Sequence, residues 1–175
     1  MAPTPPRLSV FLACSLDGYL ATREGSLDWL DAAVGPGEDY GYEAFIADVD
    51  ALAMGRGTYD FIEYVDPLPF GDRKLFVFTH RPLERAGITP LNLTPQEAVA
   101  RWSAQGLQHI YVDGGVVISA FLEAGLIDDL RLTIVPLLLG DGIPLFHPGR
   151  PQAQLALTDS QTFASGTVVL TYRRV

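Results

Sequence analysis

The sequence predicts an α/β domain with a mixed, mostly parallel central sheet that ends in an antiparallel hairpin. Short apolar runs alternate with helix-like segments through the first two thirds of the chain, the order that builds parallel strands joined by helices. Two further apolar runs, residues 155–163 and 167–174, flank Ser165-Gly166 and predict the hairpin. A length of 175 residues suits one domain with its own core, so we expect residues 1–175 to form a single domain.

The first part of the chain predicts two strands, a loop and a helix. Residues 7–14 and 19–21 are apolar strands separated by the Asp17-Gly18 turn. Residues 25–37 are punctuated by glycine and proline and are predicted to be a loop. Apolar residues at three- and four-residue spacing then predict a helix over residues 38–48 that packs on the sheet.

The middle of the chain repeats a strand followed by a turn and a helix. Predicted strands cover residues 51–54, 74–78 and 108–112, and predicted helices cover residues 58–64, 94–104 and 116–124. A long strand over residues 126–135 and a Gly/Pro loop over residues 139–146 then lead to the hairpin. Because the strands at 126–135 and 167–174 are long and apolar, an exposed edge there would pair with a second copy, and we expect a homodimer.

The charge and the cysteine content exclude several classes of protein. A net charge of −9 gives no basic face for nucleic acid or for an acidic membrane surface. No apolar run approaches the ~20 residues that a membrane span requires. Cys14 is the single cysteine and cannot form an internal disulfide, and the start of the chain does not resemble a signal peptide. We therefore expect a cytoplasmic protein.

Three turns at predicted strand ends are of the kind that bind phosphate. They are Gly55-Arg56-Gly57-Thr58, Thr79-His80-Arg81 and Gly114-Gly115. Ligands in α/β sheets bind outside the carboxyl ends of the strands, where helix N-termini offer free N–H groups. A chain with 12 basic residues places three basic or titratable side chains in these turns. The alternative is plain turn geometry, with Arg81 as a solubilising surface charge.

Other constellations that carry chemistry are absent from the sequence. Gly55 and Gly57 are followed by Asp60 instead of the third glycine of a dinucleotide fingerprint, and there is no P-loop. The three histidines lack metal-ligand spacing, so we expect no metal site. No Gly-x-Ser-x-Gly elbow marks a hydrolase.

The order of the motifs resembles the dihydrofolate-reductase-like superfamily. In particular, it resembles the small bacterial proteins related to the reductase domain of the bifunctional riboflavin-biosynthesis enzyme. The matching segments are Ser15-Leu16-Asp17-Gly18-Tyr19-Leu20-Ala21, Met54-Gly55-Arg56-Gly57-Thr58-Tyr59, Val112-Asp113-Gly114-Gly115 and Leu139-Gly140-Asp141-Gly142-Ile143-Pro144-Leu145-Phe146. This resemblance implies a three-layer dihydrofolate-reductase-like fold and NADPH as the cofactor.

The resemblance also implies where NADPH would bind. The nucleotide phosphates would contact Gly55, Arg56 and Thr58, and the adenosine with its 2′-phosphate would contact Thr79, His80 and Arg81. The pyrophosphate would lie against Gly114 and Gly115, with Val116 and Val117 beside it. The nicotinamide would contact Ala13 and Leu20. Gly114 and Gly115 are expected to be joined by a cis peptide, which costs roughly 2.5–4 kcal/mol and persists only where the fold enforces it.

Hydride transfer to a C=N or C=O bond also needs a proton donor. The resemblance makes Asp17 the first catalytic candidate, and the dihydrofolate-reducing members suggest Glu43 or Asp39 instead. Tyr42 and Phe45, next to Glu43, are candidates to wall a flat substrate ring, and Asp39 is a further candidate substrate contact. The alternatives are a turn residue for Asp17, a helix cap for Asp39, and core packing for the two aromatics.

The function implied is an NADPH-dependent reductase that acts on a small heterocyclic substrate. The substrate expected is a pyrimidine of the riboflavin pathway, similar to 5-amino-6-(5-phosphoribosylamino)uracil. A pterin or dihydrofolate reductase is an alternative, and so is a reductase-like scaffold that binds nucleotide without turnover. The zinc-binding motifs of the deaminase domain are absent, so deaminase activity is not expected.

Overall fold

The computed structural model describes residues 4–35, 37–149 and 151–175. These residues group into two compact units. The first unit comprises the described residues of Met1–Ser9 together with Ala44–Ile127. The second unit comprises the described residues of Val10–Glu43 and Asp128–Val175.

Ten strands and five helices follow one another along the described chain. The strands are β1 (Arg7–Ser15), β2 (Tyr19–Ala21), β3 (Ala51–Gly55), β4 (Lys74–Phe78), β5 (Ile88–Leu91), β6 (His109–Asp113), β7 (Asp129–Val135), β8 (Ile143–Pro144), β9 (Leu155–Thr162) and β10 (Val168–Arg174). The helices are α1 (Asp28–Ala33), α2 (Tyr42–Ala47), α3 (Arg56–Ile62), α4 (Pro95–Ala104) and α5 (Gly115–Glu123). The eight-stranded sheet has the order β5-β4-β3-β6-β1-β7-β10-β9.

The strands of the first unit pair in parallel, as predicted. β3 lies between β4 and β6, β5 extends the sheet beyond β4, and the first residues of β1 pair with β6. A parallel pair requires a crossover between its strands. Helix α3 connects β3 to β4, residues 79–87 connect β4 to β5 without a helix, and α4 lies on the return from β5 to β6. The carboxyl ends of β3, β4 and β6 therefore meet at one edge of the sheet, where the three predicted turns begin.

The core of the first unit explains why its helices pack where they do. Helix α4 begins with a capping box, since the Thr94 hydroxyl accepts from the Glu97 amide and a Glu97 carboxylate oxygen accepts from the Thr94 amide at 2.8 Å. The helix buries Trp102, whose ring is stacked on that of Phe121 with centroids 5.8 Å apart. These aromatic contacts fix α4 and α5 against each other.

The second unit contains the antiparallel strands β7, β10 and β9, which come after β1 in the order of the sheet. Strand β10 pairs with β7 on one side and with β9 on the other, and the β9–β10 hairpin turns at Gly166, where φ is +83°. The hairpin prediction is confirmed. The prediction that the strands at 126–135 and 167–174 are exposed edges is wrong, because β7 and β10 both lie inside the sheet. The edge strand of this unit is β9, which is exposed along its whole length. The homodimer itself stays a prediction.

Two segments that were predicted to be loops from their glycines and prolines contain regular secondary structure. Helix α1 lies inside the predicted 25–37 loop, because its six residues contain neither glycine nor proline. Strand β8 lies inside the predicted 139–146 loop and pairs with β2. Strand β5 was not predicted; it contains Pro90, which an edge strand tolerates.

The predicted 38–48 helix is shorter in the structure. Tyr40 and Gly41 adopt left-handed conformations, with φ of +53° and +82°, and a right-handed helix cannot pass through them. Helix α2 therefore begins only at Tyr42. Among the described residues, no helix is long and apolar enough to cross a membrane.

Candidate functional site

The first unit brings the turns after β3 and β4 together through one carboxylate. Arg56 Nε donates to Asp60 Oδ1 at 2.5 Å, and Arg81 Nη2 donates to Asp60 Oδ2 at 3.0 Å. The hydrogen bond from Arg56 is the main cause that lowers the pKa of Asp60 below its ordinary value, and Arg81 adds to it. The carboxylate is therefore ionised at neutral pH and holds the two arginines side by side.

The turns after β3 and β6 contact each other through Gly114. Its φ is +87°, and a Cβ built on it would lie 2.3 Å from Thr58 Oγ1. A residue with a side chain would be strained at this φ and would displace the Thr58 hydroxyl. The turn after β6 therefore packs directly on the Thr58 side chain.

The expected cis bond between Gly114 and Gly115 is wrong. Among the described residues the cis peptide is Asp66-Pro67, and the bond between the two glycines is trans. Gly114, with φ of +87°, is the N-cap residue at which the chain turns from β6 into α5.

The remaining residues of this edge differ in exposure. Val116 is 81% exposed at the start of α5, whereas Val117 is buried with its side chain against Gly55. Thr79 Oγ1 accepts from the Arg81 amide at 3.0 Å and shapes that turn, on which His80 is exposed. We call this edge, formed by the turns after β3, β4 and β6, the strand-end rim.

The charges at the strand-end rim decide which arginine is free to meet an anion. Arg56 lies near both Asp60 and Glu63, and its side chain is 21% exposed. Arg81 contacts Asp60 alone among the described carboxylates and is 65% exposed. Two cations face two carboxylates here, so a bound anion would form its hydrogen bonds chiefly with Arg81. The exposed ion pair between Arg81 and Asp60 contributes little free energy, so Arg81 can separate from Asp60 easily.

Asp113 is a titratable residue of the rim to which no sequence motif assigned a role. It is the last residue of β6, and Gly114 donates its backbone N–H to Asp113 Oδ1 at 2.8 Å. Burial of the carboxyl group raises its pKa to about 6, despite this hydrogen bond and a second one from the Tyr111 side chain, both of which lower it. The signal in the sequence was its place directly after the buried residues of β6 and before two glycines. Its group exchanges a proton near neutral pH, as an acid catalyst must.

In the second unit, Asp17 joins two turns. Its carboxylate accepts from the Ser15 hydroxyl at 2.6 Å and from the amides of Leu139 and Gly140 at 3.0 and 2.8 Å. The Ser15 hydrogen bond is the main cause that lowers the pKa of Asp17. An ionised carboxylate with three donors is suited to positioning the Asp17-Gly18 turn and not to releasing a proton.

Replacing Asp17 with alanine is expected to accelerate hydrogen exchange at the Leu139 and Gly140 amides, because both lose their acceptor. In the wild type, the protection of these two amides relative to their intrinsic exchange rate at each pH should be lost only in acid, as the pH falls through the lowered pKa of Asp17. The matched control is Asp141→Ala, which removes the acceptor of the Gly142 amide in the same loop. Equal exchange of the Leu139 amide in the wild type and in Asp17→Ala would contradict this role.

The predicted substrate residues lie in different surroundings. Asp39 accepts from the amides of Gly41 and Glu43 and so caps α2, which is the alternative role predicted for it. Glu43 is exposed, and the Tyr42 ring is edge-on to Phe11 at 5.4 Å in the second unit. Phe45 belongs to the first unit.

Phe45 packs edge-on against Tyr111 and His109 of β6, with centroids 5.1 and 5.9 Å apart, which is core packing. Ala13 and Leu20, the predicted nicotinamide contacts, are partly exposed on the strands β1 and β2 of the second unit. The roles of all these residues stay predictions.

A serine, a histidine and an aspartate do meet in the first unit, but not as a hydrolase site. His109 Nε2 lies 2.8 Å from Ser9 Oγ, and its Nδ1 lies 3.2 Å from an Asp48 carboxylate oxygen. Ser9 is 1% exposed, so no substrate reaches its hydroxyl. Within the part of the chain that the structure describes, no group of three His, Cys, Asp or Glu side chains could hold a metal ion.

Known proteins resemble this chain in sequence and in fold. The RibD C-terminal domain model matches residues 68–169. The uncharacterized protein YwjB of Bacillus subtilis (strain 168) is 34% identical over 158 residues, which cover 88% of this chain and 90% of YwjB. The riboflavin biosynthesis protein RibD of Corynebacterium ammoniagenes is 30% identical over 161 residues, which cover 82% of this chain and 47% of RibD.

A solved structure has the same fold over almost the whole chain. It is a Shewanella sp. PV-4 protein named for riboflavin biosynthesis, which is 33% identical and superposes with a TM-score of 0.88 over 97% of this chain and 99% of its own. The predicted resemblance and fold class are confirmed. The chain belongs to the RibD C-terminal domain family, whose members have the dihydrofolate-reductase-like fold.

Proposed function

We propose that this protein is an NADPH-dependent reductase of a small heterocyclic substrate, of the kind that riboflavin biosynthesis uses. The observation that carries the proposal is the strand-end rim, where Asp60 holds Arg56 and Arg81 together and Gly114 packs on Thr58. RibD, a relative at 30% identity, is named for riboflavin biosynthesis. A reductase fits both the family and the rim.

The rim fits the phosphates of a dinucleotide. A Cβ built on Gly57 would have no atom within 4 Å, so the backbone at the start of α3 is open to a ligand. Arg81 is exposed enough to bind a 2′-phosphate, and a guanidinium forms strong bidentate hydrogen bonds with phosphate. When bound, NADPH would supply the hydride.

Asp113 is the proton donor that we propose for this reaction. Its pKa of about 6 leaves a fraction of the carboxyl groups protonated near neutral pH, whereas the lowered pKa of Asp17 leaves almost none. Asp17 would instead position the turn that follows β1. Activity should therefore decrease as the pH rises above about 6.

Titration calorimetry with NADPH and NADH tests the cofactor assignment. Arg81→Gln should weaken NADPH binding by about 10- to 100-fold, since hydrogen bonds to a charged group contribute about 1.5–3 kcal/mol. NADH lacks the 2′-phosphate, so its affinity should hardly change. Arg101→Gln, on the exposed face of α4, is the matched control and should bind both cofactors as the wild type does.

Two results of this titration would contradict the proposal. If the wild type bound neither cofactor, the rim would not be a dinucleotide site. If Arg81→Gln weakened NADPH and NADH equally, Arg81 would not recognise the 2′-phosphate. Tight binding of NADPH without its oxidation by any heterocycle would support the scaffold alternative over a reductase.

A further inference from the structure

Asp60 uses both of its carboxylate oxygens at the strand-end rim. Oδ1 accepts from Arg56 Nε at 2.5 Å, and Oδ2 accepts from Arg81 Nη2 at 3.0 Å. The Asp60 side chain is 37% exposed, and its lowered pKa keeps the carboxylate ionised at neutral pH. A ligand phosphate that binds these arginines must therefore compete with a negative charge that is already in place.

Arg56 has further partners that hold its side chain without Asp60. Its Nη2 lies 3.5 Å from Glu63 Oε2, and its Nη1 donates to the Pro82 carbonyl oxygen at 3.5 Å. Its guanidinium carbon also lies 5.5 Å from the centre of the Tyr59 ring, a cation–π contact. Loss of the Asp60 charge would therefore leave Arg56 paired with Glu63.

Arg81 has Asp60 as its one ion-pair partner in the described part of the chain. Its side chain is 65% exposed. Its backbone is fixed separately, because the Arg81 amide donates to Thr79 Oγ1 at 3.0 Å and the Thr79 hydroxyl donates to the Arg81 carbonyl oxygen at 3.1 Å. Removal of the Asp60 charge would therefore free the Arg81 guanidinium and leave the turn around it intact.

We propose that Asp60 is an internal competitor for Arg81, which a phosphate group on the ligand displaces and a neutral hydroxyl does not. This inference rests on the proposed function and deepens it, because it makes Asp60 a residue that determines specificity for the 2′-phosphate of NADPH over the 2′-hydroxyl of NADH. A phosphate has about two negative charges and three acceptor oxygens, so it binds a guanidinium more strongly than one carboxylate does. A hydroxyl leaves the ion pair between Asp60 and Arg81 intact.

A titration with sulfate tests the competition without any dinucleotide. The charge of sulfate is constant near neutral pH, and its binding is followed by ¹H–¹⁵N NMR of the backbone amides of residues 79–81. Potassium chloride at matched ionic strength is the control. Asp60→Asn keeps the shape of the side chain and removes its charge, so it should raise the affinity for sulfate by about 2- to 10-fold, as expected when a partly exposed ion pair no longer competes. If Asp60 instead positioned Arg81 for the anion, the affinity would fall.

Further variants locate the effect at Arg81. In the Arg81→Gln background, Asp60→Asn should no longer raise the affinity for sulfate, whereas a general loss of charge repulsion would persist there. Glu123→Gln is the matched control for net charge, since Glu123 is exposed at the last residue of α5, the helix that begins at the rim. It should bind sulfate as the wild type does. Asp60→Ala is a second uncharged variant, with the same expected gain, if Asp60→Asn is unstable.

Three results would overturn the inference. They are equal or weaker binding of sulfate by the uncharged variants of Asp60, a gain that persists in the Arg81→Gln background, and shifts no larger than those with chloride in both the wild type and Asp60→Asn. Calorimetry should also show that Asp60→Asn binds NADPH more tightly by a similar factor and NADH as the wild type does.

Failure of this inference is distinguishable from failure of the proposed function. NADPH binding to the wild type is measured separately from the sulfate titration. If the wild type binds NADPH and Asp60→Asn gains no affinity for sulfate, the role of Asp60 as a competitor is wrong and the cofactor assignment stands. If Asp60→Asn gains that affinity and the protein binds no NADPH, the competition at Arg81 stands and the cofactor assignment is wrong.

Discussion

Gly114→Ala is expected to destabilise the protein by about 2–4 kcal/mol, the sum of a strained positive φ and a steric clash. The φ of Gly114 is +87°, and the added methyl carbon would lie 2.3 Å from Thr58 Oγ1. Chemical denaturation followed by circular dichroism measures the change. NADPH binding should weaken too, because the turn after β6 must move.

Two further variants separate the causes of that loss. Gly57→Ala is the matched control, since it has no atom within 4 Å of the added carbon and lies inside helix α3, where alanine is favoured by up to about 1 kcal/mol. Thr58→Ala combined with Gly114→Ala removes the clashing hydroxyl and should recover part of the stability. If Gly114→Ala were as stable as Gly57→Ala, the two turns would not be packed as described.

Asp113→Asn is expected to stabilise the folded protein at neutral pH and to lower activity. The pKa of Asp113 is about 6 in the folded protein against an ordinary value of 3.8, so the folded state holds this proton to higher pH. At 1.36 kcal/mol per pKa unit, ionising the buried carboxyl group costs roughly 3 kcal/mol at pH 7. An uncharged amide avoids that cost.

The pH dependence of the stability difference tests this prediction. The stabilising contribution of Asp113 is complete below pH 3.8 and is lost as the pH rises through about 6. Asp113→Asn and the wild type should therefore unfold alike in acid and differ most at neutral pH. As the proposed proton donor, the residue should contribute about 10²- to 10⁴-fold to kcat. A stability difference that is the same at all pH values would contradict the burial of the carboxyl group.

The strand-end rim is the part of the molecule that the sequence predicts best. Strands followed by helices give a parallel sheet, and a parallel sheet brings the turns after β3, β4 and β6 to one edge. The contacts of Asp60 with Arg56 and Arg81 follow from that topology, although no local pattern indicates which acid joins them.

The features that the sequence did not predict depend on tertiary contacts. The raised pKa of Asp113 comes from burial, which a linear pattern does not measure. The contact between Arg131 and Phe11 joins residues far apart in the chain, and the left-handed Tyr40 that accepts from Arg131 is not a residue type that favours this conformation. Strand β5 contains Pro90, and only its place at the edge of the sheet makes it acceptable.

The most direct test of the proposed dinucleotide site is a titration of the ¹⁵N-labelled protein with NADPH, followed through its backbone amides. Binding at the strand-end rim predicts saturable shifts concentrated in three turns, residues 55–58, 79–81 and 113–116. Shifts absent from these turns, or spread evenly over the surface without saturation, would show that they do not form a dinucleotide site.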